Sequence, residues 1–183
     1  MKKNVILPSK FMNSQLFDVV WDHDPNLKGF ICDESLPRWI ILNRLETNFS
    51  LDGFLLINES SVSFKRLVEK NDIYSKFVEE KKLKCEMPIV KGKDIFEIIK
   101  AICQVWGTVG IYKKDHGFDD LEIGVLDEVF ENHLSYRFVT NMGKVKSSIS
   151  KLKFSDILAL SFGGRYETGL HKVIQYDRRS CEN

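Results

Sequence analysis

The sequence carries almost no excess of charge: 27 lysines and arginines face 26 aspartates and glutamates, a formal net charge of +1 at pH 7. No global field draws such a chain onto nucleic acid or anionic lipid, so any contact of that kind must come from a local patch. Proline is scarce, with 4 in 183 residues, and no low-complexity tract interrupts the chain, which argues against an extended disordered region. Long apolar runs are missing as well. The longest, such as Phe54 to Ile57 and the charge-interrupted stretch Ile95 to Trp106, fall short of the ~20 residues that a bilayer span requires. A secretory leader is not expected, because the Val5-Ile6-Leu7 run that follows Lys2 and Lys3 is cut by Pro8.

Catalytic and metal-binding signatures are also lacking. The 4 cysteines, Cys32, Cys85, Cys103 and Cys181, form no C-x-x-C pair, which argues against a local zinc knuckle. They are expected to be reduced thiols of a cytoplasmic protein, behaving as small buried hydrophobes. His23, His116, His133 and His171 are far apart, and no H-E-x-x-H, H-x-H or Cys-His spacing joins them. A hydrolase built on Cys32 or Cys103 has no supporting partner. No catalytic residue, metal ligand or cofactor is expected.

What is present is hydrophobic periodicity, in a composition of 43% hydrophobic and 29% charged residues that suits a globular protein with one or two cores. Phe17, Val19 and Trp21 alternate with Asp18, Val20 and Asp22; Asp24-Pro25-Asn26 supplies turn chemistry before Gly29-Phe30-Ile31. Arg38 to Leu45 is dense enough in aliphatic residues for a strand buried on both faces. Asp52-Gly53 marks a turn or bulge into Phe54 to Asn58, and Ser60 to Leu67 reads as a short closing strand.

The period then changes from two to 3.6. Asn71 or Asp72 caps a helix carrying Ile73, Tyr74, Phe77 and Val78 on one face. Cys85 to Gly92, with Pro88 inside it, reads as a linker. Asp94 and Glu97 form a D-x-x-E start for a second helix whose Ile95, Ile98, Ile99, Ile102 and Trp106 recur at helical spacing up to Gly107. A second β unit follows: Val109 to Tyr112, a turn at His116-Gly117, and Leu121, Ile123 and Val125 alternating with Glu122, Gly124 and Leu126 in a strand with one solvated face. Leu134, Tyr136 and Phe138 repeat the alternation, Asn141-Met142-Gly143 turns, and Val145, Ile149, Leu152 and Phe154 continue it; Leu158, Leu160 and Phe162 close the unit. Tyr166, Leu170 and Val173 then indicate a last short helix. The order of β unit, helix, linker, helix, β unit, helix is an internal duplication.

Gly29-Phe30-Ile31, Trp39-Ile40-Ile41-Leu42 and Leu51-Asp52-Gly53-Phe54 resemble the strands of Sm-like and SH3-like small β-barrels. The later Phe154-Ser155-Asp156-Ile157 and Ser161-Phe162-Gly163-Gly164-Arg165-Tyr166 look like the closing segment of uncharacterised bacterial proteins built from two such barrels. The resemblance spans most of residues 15 to 175 and implies an α+β fold, mainly β: two antiparallel small barrels joined by helices. The first barrel with its C-terminal helix is placed at 1–84, the linker at 85–92, and a helix plus the second barrel and short C-terminal helix at 93–183. No activity comes with the resemblance. RNA-binding Sm proteins set an Arg or Lys beside a glycine in a base-contacting loop, whereas the matching turn here is Asn58-Glu59-Ser60-Ser61, whose glutamate disfavours phosphate.

Two candidate contact sites remain. Gly163-Gly164-Arg165 can hold an anion or partner group at a helix N-terminus, although a strand-to-helix turn alone accounts for both glycines. Lys144, Lys146 and Lys151 make a candidate basic strip, expected to be offset by an acidic segment (Asp115, Asp119, Asp120, Glu122, Asp127, Glu128, Glu131) on a neighbouring strand. The expectation is a non-catalytic cytoplasmic interaction module that binds another protein, as an adaptor or an immunity-type factor. The alternative is an Sm-like RNA-binding protein, which fold analogy favours and the near-neutral charge disfavours.

Overall fold

The structure is a computed structural model that describes residues 15–21, 24–33, 36–83, 92–114 and 121–181. The expected linker about Pro88 and the turn at His116-Gly117 lie outside the described residues. Ten strands form one antiparallel sheet: β1 (Leu16–Trp21), β2 (Asp24–Asp33), β3 (Trp39–Leu45), β4 (Leu51–Asn58), β5 (Val62–Leu67), β6 (Thr108–Lys113), β7 (Glu122–Val129), β8 (His133–Val139), β9 (Val145–Lys153) and β10 (Ile157–Phe162). Helices α1 (Ile73–Lys81), α2 (Ile95–Trp106) and α3 (Arg165–Cys181) complete the α+β architecture.

The strand order is β5-β1-β2-β3-β4-β10-β6-β7-β8-β9. The last five strands repeat the permutation of the first five, and β4 meets β10 where the two sets join, with Ile57, Leu56, Leu55 and Phe54 opposite Ala159, Leu160, Ser161 and Phe162. A short 3-10 turn precedes the fifth strand of each set, at Glu59–Ser61 and at Phe154–Asp156. The sheet is open, not closed: among the described residues β5 and β9 each pair on one side only.

Local sequence accounts for these elements. β3 is almost wholly buried, as its aliphatic run predicts, because it lies between β2 and β4 with apolar clusters on both faces. The bend into β4 is at residues 47–50, where Glu46 N–H donates to the Ser50 carbonyl and the Asn48 side chain accepts from Ser50 N–H. Asp52-Gly53 is the bulge of the two expected alternatives: the β3–β4 register slips between Asn43 and Leu45, and Gly53 takes a φ of 70°. Asp72 caps α1 by accepting from Tyr74 N–H. Asp94 caps α2 by accepting from Glu97 N–H at 2.9 Å, while Glu97 reaches back to Lys93 N–H and Gly107 ends the helix at a φ of 69°.

Besides the two expected barrels, in whose place the described residues form one open sheet, two expectations about single elements change. The β7 strand has no solvated face over its first half: Leu126 enters the main core, whereas Ile123 and Val125 are covered by Leu170 and Ile174 of α3. The helix α3 is long, and its inner face is rotated from the one the sequence suggested, because Tyr166 and Val173 are exposed while Glu167 and Ile174 are buried.

The largest core joins both strand sets. It holds Phe30, Trp39, Ile41 and Leu56 from the first, Ile98, Ile99 and Ile102 from α2, and Leu126, Leu134, Tyr136 and Leu160 from the second. A separate cluster of Val19, Trp21, Ile40, Leu42 and Ile57 fills the first set and reaches Leu158 and Ala159 of β10.

Candidate functional site

The two sites read from the sequence fall at different places in this sheet. Gly163-Gly164-Arg165 lies where β10 turns into α3, beside the β4 bulge. The position an external anion would take there is filled from within: Asp52 Oδ1 accepts from Arg165 N–H at 2.8 Å and from Arg165 Nε at 3.3 Å. Arg44 Nη2 donates to the other Asp52 oxygen at 3.3 Å. A β-carbon on Gly53 would run into the backbone of Gly164, and one on Gly163 would meet the Trp106 indole 2.8 Å away. The glycines thus let β4, α2 and the start of α3 approach one another, and Asp52 supplies the negative charge that a helix N-terminus favours.

Beneath this turn runs a row of polar groups between β6, β10 and α3. Ser161 Oγ donates to Glu167 Oε1 at 2.5 Å, and Glu167 is only 4% exposed. Thr108 Oγ1 lies 3.0 Å from His171 Nδ1, and Gln175 Nε2 lies 2.7 Å from His171 Nε2. A β-carbon at Gly110 would strike Ser161 Oγ, so the small residue makes room for the serine–glutamate bond. Sequence reasoning passed over Glu167, whose signal was its third-residue position in a helix led by Gly164-Arg165. A third polar group joins β6, β7 and β8: Lys113 Nζ is 2.6 Å from Glu122 Oε2, which also accepts from Tyr136 Oη at 2.7 Å. Burial pushes the Tyr136 phenol above its ordinary range; the Lys113 hydrogen bond opposes that shift and the Glu122 bond adds to it. Burial acts to lower the Lys113 ammonium, but its bonds to Glu122 and Tyr136 leave it raised.

The basic strip lies at the far edge of the sheet. Lys144, Lys146, Lys151 and Lys153 are all exposed along β9 and the turn before it. Among the described residues the expected compensation by facing acids does not occur; Asp115, Asp119 and Asp120 lie outside them. The strand beside β9 is β8, and it sets His133, Ser135 and Arg137 opposite Lys153, Lys151 and Ile149. Of that segment's acids in the described residues, Glu122 is engaged by Lys113 and Tyr136, Asp127 pairs with Arg137 at 3.1 Å, one strand further in, and Glu128 and Glu131 are exposed and are not register partners of β9. Lys146 sits over the Phe138 ring, 4.9 Å from its centroid.

The remaining candidates stay apart. Cys32 is buried with its thiol on the Phe30 carbonyl; burial, and then Asp127, raise the Cys103 thiol, the opposite of what an activated nucleophile needs. His133 stacks on Phe130, and His171 belongs to the row under α3. His23 and His116 lie outside the described residues. Among the described residues no group of three or more His, Cys, Asp or Glu could hold a metal ion, and no helix is long and apolar enough to cross a membrane. Comparison with protein-family models, with curated proteins and with solved structures gives no match.

Proposed function

We propose that this chain is a non-catalytic cytoplasmic interaction module, made of two tandem Sm-like or SH3-like units of five strands, that binds another protein as an adaptor or immunity-type factor. The observation that carries the reading is the doubled strand order, in which β4 and β10 consume one edge of each unit and the outer edges of β5 and β9 are left without a strand partner among the described residues. Strands that lack a neighbour present unpaired N–H and C=O groups, the usual template for a protein partner that adds a strand. The polar groups under α3 support the same reading, since Asp52, Glu167, Ser161, Thr108 and His171 each bond to another side chain or to the backbone within the fold.

The lysine row favours a second reading, Sm-like binding of RNA, because its charges have no acid opposite them on β8 and would release counterions on meeting phosphate. Affinity capture on the full chain, read for both protein and RNA, separates the two. A specific protein with no enriched RNA is the expected result. Sub-micromolar, base-selective RNA binding that disappears when Lys144, Lys146 and Lys151 are changed to glutamate would replace the first reading by the second.

A further inference from the structure

The inner junction of the sheet shows what a strand laid on β9 would meet. β4 and β9 each run directly into a 3-10 turn, so Asn58 corresponds to Lys153, and Phe54, Leu55, Leu56 and Ile57 correspond to Ile149, Ser150, Lys151 and Leu152. β10 pairs antiparallel with those β4 residues, as Ala159, Leu160, Ser161 and Phe162 in chain order opposite Ile57, Leu56, Leu55 and Phe54. Carried to β9, that register sets four successive residues of an incoming strand opposite Leu152, Lys151, Ser150 and Ile149.

We propose that β9 is a docking edge for an extended acidic segment of a partner protein, added antiparallel with the pattern apolar, acidic, any residue, apolar. This rests on the reading of the chain as a protein-binding module and names the partner's chemistry. Three observations select the occupant. The outer side of β9 has no strand partner among the described residues. Lys144, Lys146, Lys151 and Lys153 give that edge one sign of charge, with no acid opposite them on β8. Ile149 stands 56% exposed among them, at the position where the inner junction has Phe54 stacked on Phe162. Lysines alone would suit an edge that merely resists pairing, but such an edge gains nothing from an exposed isoleucine.

A second copy of the chain is the nearest rival. The outer strand β5 would bring Phe64, Lys65, Arg66 and Leu67 to the same four positions, with apolar residues where the pattern wants them, both 49% exposed. It would also set Lys65 opposite Lys151, and like charges facing across a sheet are destabilising. Nucleic acid fits less well, because no exposed aromatic alternates with the lysines along β9 to stack a base.

The test uses the full chain and a fluorescein-labelled peptide, Asp-Asp-Val-Glu-Thr-Val-Asp-Asp, with two controls: the same peptide with its central glutamate replaced by lysine, and one with N-methylated backbone amides. The expected result is binding of the acidic peptide, weaker by about fivefold or more for the lysine peptide, and lost on N-methylation. Lys151→Glu, at an exposed site that leaves the fold intact, is expected to reverse the preference between the glutamate and lysine peptides. Amide hydrogen exchange over Ile149 to Leu152 is expected to slow when peptide binds. Affinity that ignores either the peptide's charge or N-methylation would overturn the assignment, as would exchange protection confined to another element. Self-association of the unaltered chain that competes with the peptide would give the edge to a second copy, and displacement by single-stranded RNA at sub-micromolar concentration would give it to nucleic acid. If affinity capture returned a specific protein while this peptide did not bind, the edge assignment would fall and the protein-binding reading would remain.

Discussion

Asp52 shows how one side chain can hold several elements at once. It sits on the β4 bulge, caps the start of α3 through Arg165 N–H, and takes hydrogen bonds from two arginines. The Arg165 side chain is mostly exposed, so its ion pair contributes little, whereas the backbone cap contributes about 0.5 to 2 kcal/mol. Asp52→Ala is therefore expected to destabilise the protein by about 1 to 2 kcal/mol in denaturant titration, and Arg165→Ala by less than about 1 kcal/mol. Equal losses from the two changes would mean that the side-chain pair matters more than the cap. Tyr136 and Lys113 give a second residue-scale expectation, in pH. Both are raised in the folded protein, so folding holds their protons more strongly than the unfolded chain does. Their contribution is complete below the ordinary tyrosine value of about 10 and is lost as pH rises from there through the raised values of the folded protein. Stability should fall above that pH, and Tyr136→Phe should fall less steeply; parallel curves for the two proteins would contradict the assignment.

At the scale of the element, α2 carries the most. Its Ile98, Ile99 and Ile102 are fully buried in the core that joins both strand sets, and its end at Gly107 leads without a loop into β6. A charge at Ile99 would be taken out of water with no partner, among the costliest of single changes. Ile99→Asp is expected to cost several kcal/mol, on the order of 3 to 5. A thermal melt superimposable on that of the parent would show that this face is not buried. The outer edges contrast with this helix: β10 is buried at every residue, whereas β5 and β9 are exposed along most of their length. That asymmetry marks β4–β10 as permanent structure and the outer strands as surface.

For the whole molecule, the continuous sheet decides how it unfolds. Hydrogen bonds cross between the strand sets at β4 and β10, and the largest core draws residues from both. Separation of the halves would expose Phe54, Leu55, Leu56 and Ile57 on one side and Leu160 and Phe162 on the other, all at or near full burial except Phe54. One cooperative transition is expected in calorimetry, with van 't Hoff and calorimetric enthalpies in agreement. Two resolved transitions would mean that the two strand sets fold as independent domains.

The sequence by itself determined the elements whose signals are local. The cap at Asp94, the helical spacing of Ile95 to Trp106 and the buried run of β3 depend on neighbours within a few residues, and each is where the pattern put it; at Asn71-Asp72 and Asp52-Gly53 the pattern gave the place and the structure chose Asp72 and the bulge. Two runs of alternating strands separated by helices were legible too. What the sequence left open was pairing at a distance. The contact of β4 with β10 joins residues about a hundred positions apart, and it made one open sheet of two expected closed units. The inner face of α3 was misread because helical spacing reports the rotation only when the buried residues are apolar, and here Glu167 is buried through its bond to Ser161. The charges on β9 were misread for a related reason. Acid and base were close in sequence, but β8 lies between Glu122, Asp127 and Glu128 of β7 and the lysines of β9, and strand order is a property of the tertiary fold.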